Sequence, residues 1–261
     1  MLTAVKNQVR VCVLSVKYNI MREMLNKVTF LTNILFMMLN NATFIVQWVI
    51  LFRLRGDIGG YTMREMMLLW GLTASSFGLS HILFARVFSL SDLIINGKLD
   101  SYLVQPKNVL LGVMTSTSSI GDFLYGVVLL SVFCFSVKRF FLFLLFAATG
   151  AVIMTAFALL MGSLSFWLVR ADMLGNNVIN TMIGFSTYPD GIFKGGARFL
   201  IYYIIPVGMA VYKPVHIMVS FDAGELFSVL GFAAGLSALS VFVFYRGLRR
   251  YSSGNLMEAR I

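Results

Sequence analysis

Gly97 and Lys98 stand together as the glycine and lysine of a phosphate-binding loop would, but the resemblance to such a loop ends there. A G-x-x-x-x-G-K-[ST] loop cradles nucleotide phosphates in backbone amides and places a hydroxyl on magnesium. Here Asp92 occupies the first glycine position and Leu99 the hydroxyl position. No H-E-x-x-H pair for zinc and no G-x-S-x-G nucleophile elbow occurs. His81 and His216 lack metal-ligand neighbours in sequence, so no metal is expected. Cys12 and Cys134 fall on different segments and are not expected to form a disulfide. Asp122 and Arg86 lie in or beside strongly apolar runs, where an ionisable group is a functional candidate by default. Asp122 suits either a proton relay or simple pairing with Arg86 or Arg170. An integral-membrane enzyme has little to work with.

These side chains are carried by a chain built for hydrocarbon. Of its 261 residues, 59% are hydrophobic and 12% charged, with a mean hydropathy of +0.85. Soluble domains carry about 25% charged residues, so an ordinary soluble fold is excluded. A helix needs about 20 apolar residues to cross a ~30 Å hydrocarbon layer. The apolar runs reach that length, whereas barrel strands would alternate over about 10 residues. The expectation is an all-α polytopic membrane protein with six transmembrane helices at 28–52, 66–88, 109–137, 140–169, 173–188 and 224–245. Only Lys138 and Arg139 separate the third span from the fourth, and Pro189 stops the short fifth.

Residues 1–27 alternate charge and apolar side chains with helical period. Lys6, Arg10 and Lys17 share one face, with Val9, Val13, Val16 and Ile20 away from it, as in an amphipathic helix lying on a headgroup surface. The six-span domain fills 28–250, and 251–261 form a tail. Within 196–216 an apolar stretch is interrupted by Pro206, too short to span and deprived of a backbone donor. Flanked by Pro189 and Pro214, it reads as a re-entrant or interfacial segment buried against protein. With both termini cytoplasmic, thirteen of the 21 basic residues fall inside, in keeping with the positive-inside rule. The net charge of +10 therefore speaks for lipid headgroups as partners rather than nucleic acid.

That orientation puts the loop 91–108, containing "LIINGKLDSYLVQP", in the cytoplasm. Gly97 breaks the incoming helix. Leu99, Leu103 and Val104 form one apolar edge of a short helix, Asp100 favours its first turn and Pro106 ends it. Such a helix suits a socket on another protein, although an ordinary connecting loop has the same composition.

Gly97, Leu99, Asp100, Leu103 and Pro106 together resemble the cytoplasmic signature of ABC-2-type transporter permeases. "GGYTMREMMLLW" at 59–70 and the later "YPDGIF" and "IIPVGMAVYKPV", with Tyr188, Pro189, Pro206, Tyr212 and Pro214, resemble the same family. More narrowly the chain is similar, over most of its length, to the branch called ABC-2 family transporter proteins. Gln105 departs from relatives that carry a basic residue before the proline. The resemblance implies a permease whose 97–106 helix seats in a separate ATP-binding subunit, which would hold the ATP and Mg. No cofactor is then expected on this chain. It further implies two ATPases, a second permease, identical or paralogous, export as the usual direction, and a bacterial inner membrane.

Asn19, Asn26, Asn33, Asn40 and Gln47 recur every seven residues, a stripe that drifts only ~20° per repeat on an α-helix. Asn33, Asn40 and Gln47 fall in the first span. They either line the translocation path or the contact with the second permease, or serve as interhelical glue worth ~0.6 kcal/mol each. Ala147, Ala151, Thr155, Ala158 and Gly162 in the fourth span, and Gly71, Ser75 and Gly78 in the second, form small-residue tracks for close helix packing. The alternative function is a nucleotide-independent secondary transporter or channel. Such carriers often show inverted repeats, and none is visible here.

Overall fold

The computed structural model describes residues 2–119, 137–168 and 171–252. They form an all-helical fold, without a strand beyond the isolated bridge between Ile58 and Tyr61. Helix α1 (Leu2–Leu25) is separated from α2 (Lys27–Leu54) by Asn26, whose side chain caps α2 by accepting the Thr29 amide at 3.2 Å. Helix α3 (Met63–Phe84) opens with a capping box: Thr62 accepts the Glu65 amide while Glu65 accepts the Thr62 amide at 2.7 Å. A 3₁₀ turn, Ala85–Ser89, leads into α4 (Leu90–Ile95). A single turn, α5 (Asp100–Leu103), and α6 (Val109–Met114) follow. Then come α7 (Val137–Ser163), α8 (Ala171–Phe185), α9 (Gly196–Phe199), α10 (Lys213–Val219) and α11 (Ala223–Leu248).

Among the described residues, four helical stretches are long and apolar enough to cross a membrane, Lys27–Leu54, Met63–Ile95, Arg139–Phe166 and Ala223–Leu248, or five if the bent pair Gly196–Ile204 and Gly208–Val219 is one broken span. The four overlap the first, second, fourth and sixth expected spans. The expected third span does not run as one helix from Val109. Helix α6 ends at Met114, and the chain is non-helical through Thr117, Ser118 and Ser119. The cause is local: hydroxyl side chains compete for helix carbonyls, Thr115 bonding Leu111 O at 2.8 Å and Ser116 bonding Val113 O at 2.9 Å. The rest of that span, with Asp122, lies outside the described residues. The expected fifth span is α8, whose 15 residues fall short of the about 20 that crossing requires.

The segment around Pro206 is a bent pair, Gly196–Ile204 and Gly208–Val219, with 74° between its arms. Ile205, ahead of the proline, is extended at φ −105° and ψ 97°, as the proline ring demands of its predecessor. Pro214 sits in the first turn of α10, where its missing donor leaves no helix bond unmade.

Helix α7 is the axis of the bundle and packs chiefly on α11 and α3. Its small-residue track is buried, and a Cβ at Gly162 would meet Leu90 at 2.9 Å. Two apolar clusters result. One joins Met66, Leu69 and Trp70 to Phe143, Phe146 and Tyr212; the other gathers Leu90, Leu93, Leu99, Leu110, Leu159 and Phe244. They lie toward opposite ends of α3, which is about 33 Å long by helical rise.

Candidate functional site

At one end, α4 stops where Gly97 turns left-handed, with φ +67°. Its amide returns to Ile94 O at 3.3 Å and the Leu99 amide to Leu93 O at 3.0 Å, so carbonyls that the helix end exposes are satisfied. Because the non-helical loop begins only at Asn96, residues Leu93 and Ile94 belong to the buried core rather than to the exposed loop.

The loop's apolar edge is split by that turn. Leu99 folds back under α4 and is 0% exposed, whereas Leu103 is 43% and Val104 84% exposed. Leu99 is thus an anchor, and only Leu103 and Val104, followed by exposed Gln105 and Pro106, face outward. The turn is fixed from within: Ser101 bonds Lys98 O at 2.9 Å, Gln105 bonds Ser101 O at 3.0 Å, and Tyr102 donates to Ser116 Oγ at 3.0 Å. A cleft of about 430 Å³, lined by Ser15, Tyr18, Tyr102, Gln105 and Lys107, separates it from α1.

The asparagine stripe divides by partner. Asn19 donates to Thr115 O at 3.0 Å and thereby ties α1 to the start of this region. Asn26 caps α2. Asn33, Asn40 and Gln47 are exposed and make no hydrogen bond among the described residues. Arg86 sits in the 3₁₀ turn, half-buried, its Nε without a hydrogen bond among the described residues. Both Asp122 and Arg170, its expected company, lie outside them.

At the opposite end, two of the motifs meet that lie about 130 positions apart in sequence. Gly59 and Gly191 touch backbone to backbone; a Cβ on Gly191 would overlap the Gly59 carbonyl. Trp70 donates to Thr187 O at 3.2 Å and Thr73 to Ser186 O at 3.1 Å. Pro189 leads straight into Asp190, a buried carboxylate. Tyr202 donates to Asp190 Oδ2 at 2.6 Å, Arg198 Nη2 stands 3.5 Å from the same oxygen, and His216 Nε2 stands 3.4 Å from Oδ1. His216 also lies 3.4 Å from the Tyr61 hydroxyl. Burial pushes Asp190 up, but the hydrogen bonds from His216 and Tyr202 outweigh it and hold the carboxyl at about 2. Burial, and after it the Asp190 charge, push Tyr61 far above the usual phenol range.

Sequence reading does not find this knot. It singles out Pro189, Pro206 and Pro214 as marks of a bend, and treats His216 as lacking a metal partner. What His216 meets instead is a hydrogen-bonding carboxylate, Asp190, 26 positions upstream. The available signal is a lone acid between proline and glycine in a chain with only 11 acidic residues.

A family model described as ABC-2 family transporter protein matches residues 37–254, which takes in both ends of the bundle. No curated protein and no solved structure matches the chain.

Proposed function

The chain belongs to the ABC-2 family transporter proteins, and from that premise we propose that it is the permease subunit of an ATP-driven exporter. Its 97–106 turn docks into a separate ATP-binding subunit, which carries the ATP and Mg. Two such ATPases and a second permease, identical or paralogous, complete the unit. The membrane is a bacterial inner membrane crossed six times, with both termini and the 96–108 loop in the cytoplasm and the bent pair dipping in from the far side as a re-entrant segment. Closure of the ATPases pushes on the turn and biases inward-facing against outward-facing states.

One observation carries this reading. The turn exposes Leu103 and Val104 at its tip while Leu99, four positions before Leu103, is locked into the core. An apolar tip on a rigid mount is what a transmitted push requires, and a loop with no partner gains nothing from it. Asn33, Asn40 and Gln47 face away from the bundle on α2, which supports a role along the translocation path or against the second permease.

The test is capture of the ATPase from solubilised membranes by the tagged chain. Leu103→Glu combined with Val104→Glu is expected to abolish capture while leaving the permease monodisperse. Undiminished capture, or transport that runs on an ion gradient without nucleotide, would overturn the proposal.

A further inference from the structure

We infer that the last helix is strapped to the docking turn, so that α11 and the 96–108 loop travel as one body, with Tyr245 as the positioning residue of the strap. The inference rests on the docking reading above. Tyr245 Oη donates to Asn108 Oδ1 at 2.8 Å, joining residues 137 positions apart. The same oxygen accepts the Leu111 amide at 3.2 Å. One asparagine therefore ends the loop, by capping α6, and fastens it to α11.

The surroundings of this bond are apolar and close-packed. Buried Leu99 shares a cluster with Phe244, and Tyr245, Leu248 and Tyr251 pack against it. Phe166, in the 3₁₀ turn Leu164–Phe166 that follows α7, closes the joint: its ring centroid lies 5.8 Å from Phe244 and 6.1 Å from Tyr251. A Cβ on Gly247 would run into the Phe166 ring, so glycine is what lets α11 come this near. Past the helix end, burial and then Asp100, first through a hydrogen bond and next through its charge, push the Tyr251 phenol up, which puts Tyr251 within reach of the docking turn itself. A packed cluster of this kind does not deform gradually. A push on Leu103 and Val104 must therefore carry the end of α11 with it. A neutral Tyr–Asn bond holds without regard to salt, which would weaken an exposed ion pair.

Spin labels at N96C, exposed in the same loop but outside the 97–106 docking turn, and at R249C, in a Cys12→Ser, Cys134→Ser background, read the strap directly in the complex with its captured ATPase. One narrow distance is expected, the same without nucleotide and with Mg-ATP trapped. Tyr245→Phe should broaden it and lower ATP turnover per captured ATPase by about two- to tenfold, the range of one net hydrogen bond, with capture unchanged. Asn108→Asp keeps an oxygen for both Tyr245 and the Leu111 amide, and should retain the narrow distance and the turnover. A distance that shifts with Mg-ATP in the parent chain, or turnover that Tyr245→Phe leaves intact, overturns the strap. The docking reading fails separately, through capture that survives Leu103→Glu with Val104→Glu, because that pair leaves the Tyr245–Asn108 bond in place.

Discussion

At the loop end of the bundle, Leu99 and Phe244 are held by apolar packing and by one neutral hydrogen bond from Tyr245 to Asn108. At the other end, one buried carboxylate collects Tyr202, His216 and Arg198 from the bent pair, with Tyr61 reaching in from the turn before α3. The first arrangement is chiefly apolar and sits beside an exposed tip. The second is directional and ionic, and fixes three stretches of chain by geometry as well as by burial. On the proposed docking, the joint that transmits force is made of grease, and the joint that holds register is made of charge.

Gly191→Val should strike the ionic end hardest, because its side chain would overlap the Gly59 backbone, which cannot move aside as a flexible side chain could. A loss of at least about 3 kcal/mol is expected, read as loss of a monodisperse peak in detergent. A variant that stays monodisperse at parental melting temperature would break the view that backbone contact sets this end. Leu99→Ala should cost about 2–4 kcal/mol through the cavity it leaves in the other cluster. Thermal unfolding measures it, and the loss should be equal at pH 8 and pH 4.

Asp190→Ala removes a carboxylate bonded by charged and phenolic donors and should cost about 2–3 kcal/mol, a fall of about 5–10 °C in melting temperature. Its acid behaviour sharpens the contrast. The folded carboxyl sits at about 2, below the ~3.9 of an unfolded aspartate, so its stabilisation is complete above about pH 4 and is lost as pH falls toward 2. The parent chain should show that acid limb in a melting series and Asp190→Ala should lack it. The same limb in both proteins would detach acid sensitivity from this knot. Smallest of all, Val104→Glu should change stability by no more than the about 0.5 kcal/mol typical of surface changes, read by thermal unfolding. A larger shift would mean that the tip belongs to the core.

What could be read in the sequence follows the range of the interactions. Helices α2, α3, α7 and α11 follow from apolar run length, and the break before α5 follows from Gly97, whose φ of +67° only glycine takes up without strain. Helical period alone puts Leu99 on the exposed edge with Leu103. Once Gly97 turns the chain back, period no longer governs which way Leu99 points. The span expected from Val109 is interrupted because five consecutive Thr and Ser residues, 115–119, weigh little on a hydropathy scale while competing strongly for backbone carbonyls. The Asp190 knot was illegible for a different reason. Its members sit at 61, 190, 198, 202 and 216, and only tertiary packing makes them neighbours.

Helix α2 has 11% of its apolar window buried, against 61% for the stretch containing α7. A newly made copy, alone in the bilayer, would hold three carboxamides in oil with no bond to offer them from the described residues. If the proposed second permease covers α2, that penalty lapses on its arrival, and assembly state would be written into lifetime: unmated copies degraded early, mated ones spared. Pulse-chase of the chain expressed with and without its companion should show the difference, and replacing Asn40 with leucine should shrink it.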